Sequence, residues 1–124
     1  MAPGKKILMV DDEKDFLEVV REALELRGFE VTATSNAVEA GLALAGKKPD
    51  LILMDIRMAG INGLQACEAI RRNSITKDLP IVIISALSDE SDIRRARKIG
   101  IADYLVKPLD IESLVKMVKE ILNV

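Results

Sequence analysis

The 124-residue chain has no histidine and no tryptophan. Without histidine, neither a Ser-His-Asp nor a Cys-His nucleophile can be assembled within it, and no His-based metal site either. A single cysteine, Cys67, excludes an internal disulfide and suits a reducing compartment, so the expected location is the cytoplasm. Phe16, Phe29 and Tyr104 are the whole aromatic complement, too few for a base-stacking platform or a flavin sandwich. The net charge of −2 argues against direct nucleic-acid binding. No apolar run approaches the ~20 residues that cross a bilayer. The opening Met-Ala-Pro-Gly-Lys-Lys leads into only a short apolar run, so neither a membrane anchor nor a signal peptide is expected. What is present is 49% hydrophobic and 31% charged, the balance of one folded domain over residues 1–124.

Short apolar runs alternate with helical patterns. The runs are Lys6–Val10, Phe29–Thr34, Asp50–Met54, Pro80–Ser85 and Ala102–Val106. Residues 7–10, 51–54 and 81–84 are apolar at every position. A strand with one wet face alternates, so these three predict strands covered on both faces, as in a parallel sheet between helix layers. Helical periodicity occupies Glu13–Arg27, Ala37–Ala45, Gly63–Arg72, Glu90–Ile99 and Ile111–Leu122. Gly28, Gly46 and Gly100 follow helices as expected left-handed closing residues. Asn62, Ser88 and Asp110 are the expected caps of the last three. Five strand–helix units with right-handed crossovers give an open, doubly wound α/β/α sandwich.

Ligands of such sheets bind at the carboxyl ends of the strands. Asp11, Asp12 and Glu13 follow the first run, Asp55 the third, Ser85 the fourth, and Lys107 with Pro108 the fifth. Taken singly these are bland: Asp12 a helix cap, Asp55 a loop acid, Lys107 a solvated lysine. Together they bring like charges to one edge, which repel unless compensated. Lys107 compensates in part. A few carboxylates with open positions left for water and phosphate oxygens suit Mg²⁺ better than an all-protein Ca²⁺ cage. A hydroxyl and an ammonium beside such a cation make a phosphoryl pocket. With histidine absent and Cys67 mid-helix, a carboxylate is the remaining strong nucleophile.

Four segments carry a family resemblance: Ile-Leu-Met-Val-Asp-Asp-Glu at 7–13, Pro-Asp-Leu-Ile-Leu-Met-Asp at 49–55, Pro-Ile-Val-Ile-Ile-Ser-Ala at 80–86 and Ala-Asp-Tyr-Leu-Val-Lys-Pro at 102–108. In this order they resemble a receiver domain of two-component response regulators, over essentially the whole chain. The resemblance implies a flavodoxin-like fold with strand order 2-1-3-4-5 and five helices. It implies that Asp55 accepts a phosphoryl group from the phosphohistidine of a sensor histidine kinase or phosphotransfer protein. Asp12 and Asp55 then ligate Mg²⁺ with the backbone carbonyl of Arg57, and Asp11 acts through a water. Lys107 contacts the phosphoryl oxygens and Ser85 hydrogen-bonds them. Tyr104 reports the state to the face of the fourth helix, fifth strand and fifth helix. That face then engages a downstream protein partner, an output domain outside this chain, or a second copy as a phosphorylation-dependent homodimer. The module is expected to catalyse its own phosphorylation and dephosphorylation without being a turnover enzyme. The Lys107–Pro108 bond is expected to be cis.

Some positions depart from the family pattern. Residues 58–63 read Met-Ala-Gly-Ile-Asn-Gly where Met-Pro-x-Met-Asp-Gly is common, and the missing proline is expected to loosen that loop. Ser85 replaces the commoner threonine and keeps the hydroxyl. Arg57 and Leu87 flank the site at positions that tune phosphoryl lifetime in the family, Arg57 through charge and Leu87 by shielding. The run Arg94, Arg95, Arg97 and Lys98 reads as a solvated helix face. Three alternatives compete. An unphosphorylated, receiver-like interaction module would usually have lost an acid or the lysine. An aspartate-nucleophile phosphatase would carry Asp-x-Asp and a cap domain. A flavin carrier needs a phosphate loop where Asp11 and Asp12 stand.

Overall fold

The computed structural model describes residues 4–46, 48–58, 61–86 and 89–124. Three central strands are β1 (Lys6–Val10), β3 (Leu51–Met54) and β6 (Ile81–Ser85), flanked by edge strands β2 (Glu30–Thr34) and β7 (Asp103–Val106). All pair in parallel, in the order β2-β1-β3-β6-β7. The 2-1-3-4-5 order expected from the resemblance is therefore present, with β4 (Arg57–Met58) and β5 (Ile61–Asn62) set aside as a small antiparallel hairpin.

The continuous apolar runs became the central strands for the reason expected. Ile7 and Met9, Leu51 and Leu53, Val82 and Ile84 face one side. They pack there against Leu17, Val20 and Leu24 of α1 (Lys14–Glu25) and Leu114, Val115 and Val118 of α5 (Ile111–Leu122). Leu8 and Val10, Ile52 and Met54, Ile81 and Ile83 face the other side. Their partners are Ala40 of α2 (Ala37–Ala45), Leu64, Cys67 and Ile70 of α3 (Gly63–Arg72), and Ala96 of α4 (Glu90–Ile99). None of these twelve strand residues is more than 3% exposed. Burying a side chain of this size is worth about 1.5–3 kcal/mol, so both faces contribute to holding the sheet between its helices.

Helix ends follow the expected chemistry with three adjustments. Asn36, Asn62 and Asp110 accept backbone N–H bonds from Glu39, Leu64 and Ser113. Ser88 lies outside the described residues, and α4 is capped instead by Asp89, which accepts from Ser91 N at 2.8 Å. Gly28 and Gly100 take positive φ of 93° and 90° after α1 and α4. Gly46 does not: its φ is −82°, so α2 ends without a left-handed residue and the expectation there is corrected. α1 is shorter than its periodicity, because Glu13 is extended and Leu26–Gly28 already form the closing turn. Strands start one residue late at Asp50 and Pro80. Asp50 turns its carboxylate onto Lys6 N at 2.7 Å, and Pro80 has no N–H to give the ladder.

Around the expected loose loop, Arg57 pairs with Asn62 and Met58 with Ile61; Ala59 and Gly60 lie outside the described residues. The Lys107–Pro108 peptide is cis. Among the described residues, no helix is long and apolar enough to cross a membrane.

Candidate functional site

The backbone ladder runs one residue past several strands and fixes the site there. Asp11 N donates to Thr34 O, Asp55 N to Val10 O and Lys107 N to Ser85 O, at 3.1, 2.9 and 2.8 Å. Asp11, Asp55, Ser85 and Lys107 are thus placed by the sheet rather than by free loops. The Thr34 hydroxyl ties the same corner by donating to Met9 O at 2.8 Å.

Asp11 and Asp55 are held by the same device. Asp11 Oδ1 accepts from Glu13 N and Asp55 Oδ1 from Arg57 N, each at 2.9 Å and two residues onward. In each case the other oxygen faces Lys107 Nζ, at 2.7 Å from Asp11 Oδ2 and 3.5 Å from Asp55 Oδ2. The three side chains are only 4–9% exposed. Asp12 is exposed beside them, and Asp11, Asp12 and Asp55 can each offer a carboxylate oxygen within 4.8 Å of the others.

The electrostatics follow from this crowding. Burial pushes the Asp55 carboxyl up to about 6, with the Asp11 charge adding; the Arg57 N–H and Lys107 pull the other way. Burial alone would lower the Lys107 ammonium. Hydrogen bonds to Asp11 and Glu13 and the charges of Asp11 and Asp55 outweigh it, and the group is raised. Three carboxylates against one buried ammonium leave a net negative, all-oxygen donor set. That set fits a hard divalent cation such as Mg²⁺ and not a soft one. Cys67 supplies no alternative ligand: it is buried in the core, where desolvation pushes its thiol up to about 12.

Ser85 is fully buried at the same edge. Tyr104, paired with Ile83 in the neighbouring strand and so on the same face of the sheet as Ser85, is half-buried against the core cluster of α3 and α4. Burial raises the Tyr104 phenol first, and the charge of Asp92 raises it further. Arg57 lies two residues from Asp55, and its guanidinium reaches Asp92 Oδ2 on α4 at 2.6 Å. Leu87 lies outside the described residues. Arg94, Arg95, Arg97 and Lys98 are exposed on α4, as expected, and Arg95 pairs there with Glu68 of α3.

Three participants were not singled out in the sequence. Glu13 is a second partner of Lys107, at 2.8 Å; its place beside Asp11 and Asp12 was the available signal. The Phe16 ring lies under Lys107 Nζ, 4.3 Å from its centroid, a cation–π contact that no spacing rule announces. Asp92 reads as an ordinary first-turn acid of a helix.

Comparison with known proteins agrees with this geometry. The profile of the response regulator receiver domain matches residues 7–119. The phosphate regulon transcriptional regulatory protein PhoB of Pseudomonas aeruginosa is 34% identical over 97% of this chain. The chain spans 52% of that protein's length. Protein PilH of the same organism is 36% identical, with 94% of this chain and 97% of PilH covered. The crystal structure of a two-component response regulator from Clostridium difficile superposes with a TM-score of 0.89 at 33% identity, covering 96% of both chains. A profile match from the first strand into the last helix, over a sheet whose carboxyl edge gathers these acids and this lysine, places the chain in the response regulator receiver domain family.

Proposed function

We propose that this chain, as a single receiver unit over residues 1–124, is a switch set by phosphorylation of Asp55. The observation that carries the reading is the meeting of Asp11, Asp12 and Asp55 around the buried Lys107 ammonium at the carboxyl edge of the sheet. Receiver domains are signalling modules rather than turnover enzymes, and the reading keeps to that.

Asp55 supplies the nucleophile. Its Oδ1 is committed to Arg57 N, which leaves Oδ2, on the Lys107 side, to attack. Oδ2 forms a bond to phosphorus, the P–N bond of a donor phosphohistidine breaks, and the imidazole leaves with the electron pair. Lys107 balances the negative charge of the incoming oxygens from a position already set by Asp11, Glu13 and the Phe16 ring. Such preorganised charge in a partly dry site is worth more than the same charge in water. Mg²⁺ would be held by Asp12 and Asp55 with the Arg57 carbonyl and by Asp11 through a water, and when bound it neutralises phosphoryl oxygens. Ser85 donates its hydroxyl to the new phosphoryl group. The shift of Ser85 changes the surroundings of Tyr104 on the same face of the sheet, and that change passes to α4, β7 and α5. The partners that fit are a sensor histidine kinase or phosphotransfer protein upstream, and downstream a protein or output domain that reads this face.

The test is to incubate the protein with Mg²⁺ and acetyl phosphate and measure its intact mass. A single labile phosphoryl adduct is expected, absent in Asp55→Ala and absent with chelator. Multiple turnovers on unrelated phosphate esters would favour a phosphatase instead, and no adduct would overturn the reading.

A further inference from the structure

The Arg57–Asp92 pair links the phosphosite to α4, and the reaction above gives it no task. Arg57 Nη2 donates to Asp92 Oδ2 at 2.6 Å, across 35 residues of sequence. The root of the arginine is fixed, since its own N–H is bound to Asp55 Oδ1. Its side chain is 51% exposed and that of Asp92 17%. Both line a cavity of about 300 Å³ with Ile56, Met58, Asn62 and Leu64, so the guanidinium has room to move without displacing core side chains.

We infer that Asp92 is a positioning residue for the phosphosite. It holds the Arg57 guanidinium against α4 while Asp55 is a bare carboxylate, and it yields the guanidinium to the phosphoryl oxygens once Asp55 is modified. This rests on the reading of Asp55 as phosphoacceptor. Relative charge decides the exchange. Asp92 offers one negative charge at a solvated rim, where an ion pair contributes little. A phosphoryl group offers about −1.5 to −2 charges and three acceptors, which the planar guanidinium fork matches in pairs. Asp92 tolerates the loss because it stands in the first turn of α4, where the helix dipole favours an anion and Asp89 already caps the end.

The exchange has a consequence for Tyr104. The charges of Asp92 and Arg57 act on its phenol in opposite senses. When Arg57 departs, the charge of Asp92 acts on the phenol without its counterpart as Ser85 is drawn to the phosphate. One exchange of ion-pair partners then frees α4 and alters the field at Tyr104.

The experiment uses the full chain with Mg²⁺ and acetyl phosphate: an Asp55 oxygen bonds to phosphorus, the P–O bond to the acetyl group breaks, and acetate leaves with the electron pair. Adduct formation is followed by intact mass, and amide hydrogen exchange over residues 93–96 reports the first hydrogen-bonded turn of α4. In the wild type, protection of 93–96 falls on phosphorylation. In Asp92→Asn it is already low beforehand, and the adduct forms about two- to fivefold faster, because a rim pair of this kind no longer has to be broken. Asp92→Glu restores the slower rate. Arg57→Gln still accepts the phosphoryl group at Asp55, but more slowly, and shows no change in exchange at 93–96 afterwards. Unchanged protection of 93–96 in a phosphorylated wild type overturns the inference, as does a wild-type rate in Asp92→Asn. A wild type that takes no phosphoryl group overturns the underlying reading and this inference with it, so the two failures are told apart by the adduct itself.

Discussion

Asp55→Asn should make the metal-free protein more stable, with a size set by pH. Asparagine keeps the shape and the oxygen that accepts from Arg57 N, so the substitution removes little but the charge. Burial and the neighbouring Asp11 raise this carboxyl from 3.8 to about 6. The folded state therefore holds the proton more tightly than the unfolded chain, binds more protons between those values, and loses stability as pH rises through them. At roughly 1.4 kcal/mol per unit, the cost of the buried charge grows from under about 1 kcal/mol at pH 4 to about 3 kcal/mol at pH 7. Asp55→Asn avoids that cost. Urea denaturation of both proteins in chelator, from pH 4 to 7, should show a gap in midpoint that opens in this way. Mg²⁺ at ten times its Kd should narrow the gap at pH 7 by about 1.4 kcal/mol, through preferential binding to the folded wild type. A variant no more stable than the wild type at pH 7, or a gap of constant size, would refute the reasoning.

Lys107→Met should cost about 3–5 kcal/mol in urea denaturation, because Asp11 is left buried without its cation, and Lys107→Met with Asp11→Asn should recover most of it. Gly63→Ala should destabilise by about 1–3 kcal/mol and slow adduct formation. A Cβ there would sit 2.5 Å from Ile56 Cα and 2.6 Å from Asp55 O, forcing the backbone at Asp55 to shift. Asp110→Ala should lower stability by about 1 kcal/mol, measured the same way, through loss of the α5 cap, while leaving phosphorylation unchanged.

Most of the architecture was legible because burial on both faces leaves a plain mark. Residues 7–10, 51–54 and 81–84 could not alternate and remain covered, and they became the middle of the sheet. The edge strands β2 and β7 are only partly buried, and their starts moved by one residue, as did those of β3 and β6. Asp11, Asp12, Asp55, Ser85 and Lys107 could be placed at one edge because parallel strands put all their carboxyl ends on the same side. The side-chain partners were less legible. That Lys107 is shared by Asp11 and Glu13 and rests on Phe16 depends on how the first turn of α1 faces the last strand, which no local pattern encodes. The Arg57–Asp92 pair is likewise a tertiary event between two residues that are unremarkable locally. Gly46 shows the limit of composition rules: a glycine after a helix does not oblige the chain to turn left-handed.

The bond from Lys107 to Asp11 joins residues 96 apart in sequence. Its donor follows the last strand of the sheet and its acceptor the first, so the acidic edge lacks its counter-charge until all five parallel strands have been assembled. Contacts this remote form late, after the chain entropy of closing the intervening loop has been overcome. A sheet without β7 would hold Asp11 and Asp55 with no Lys107 ammonium between them. On the proposed function, the acceptor site and the closed sheet are therefore completed by the same event, the docking of the final strand.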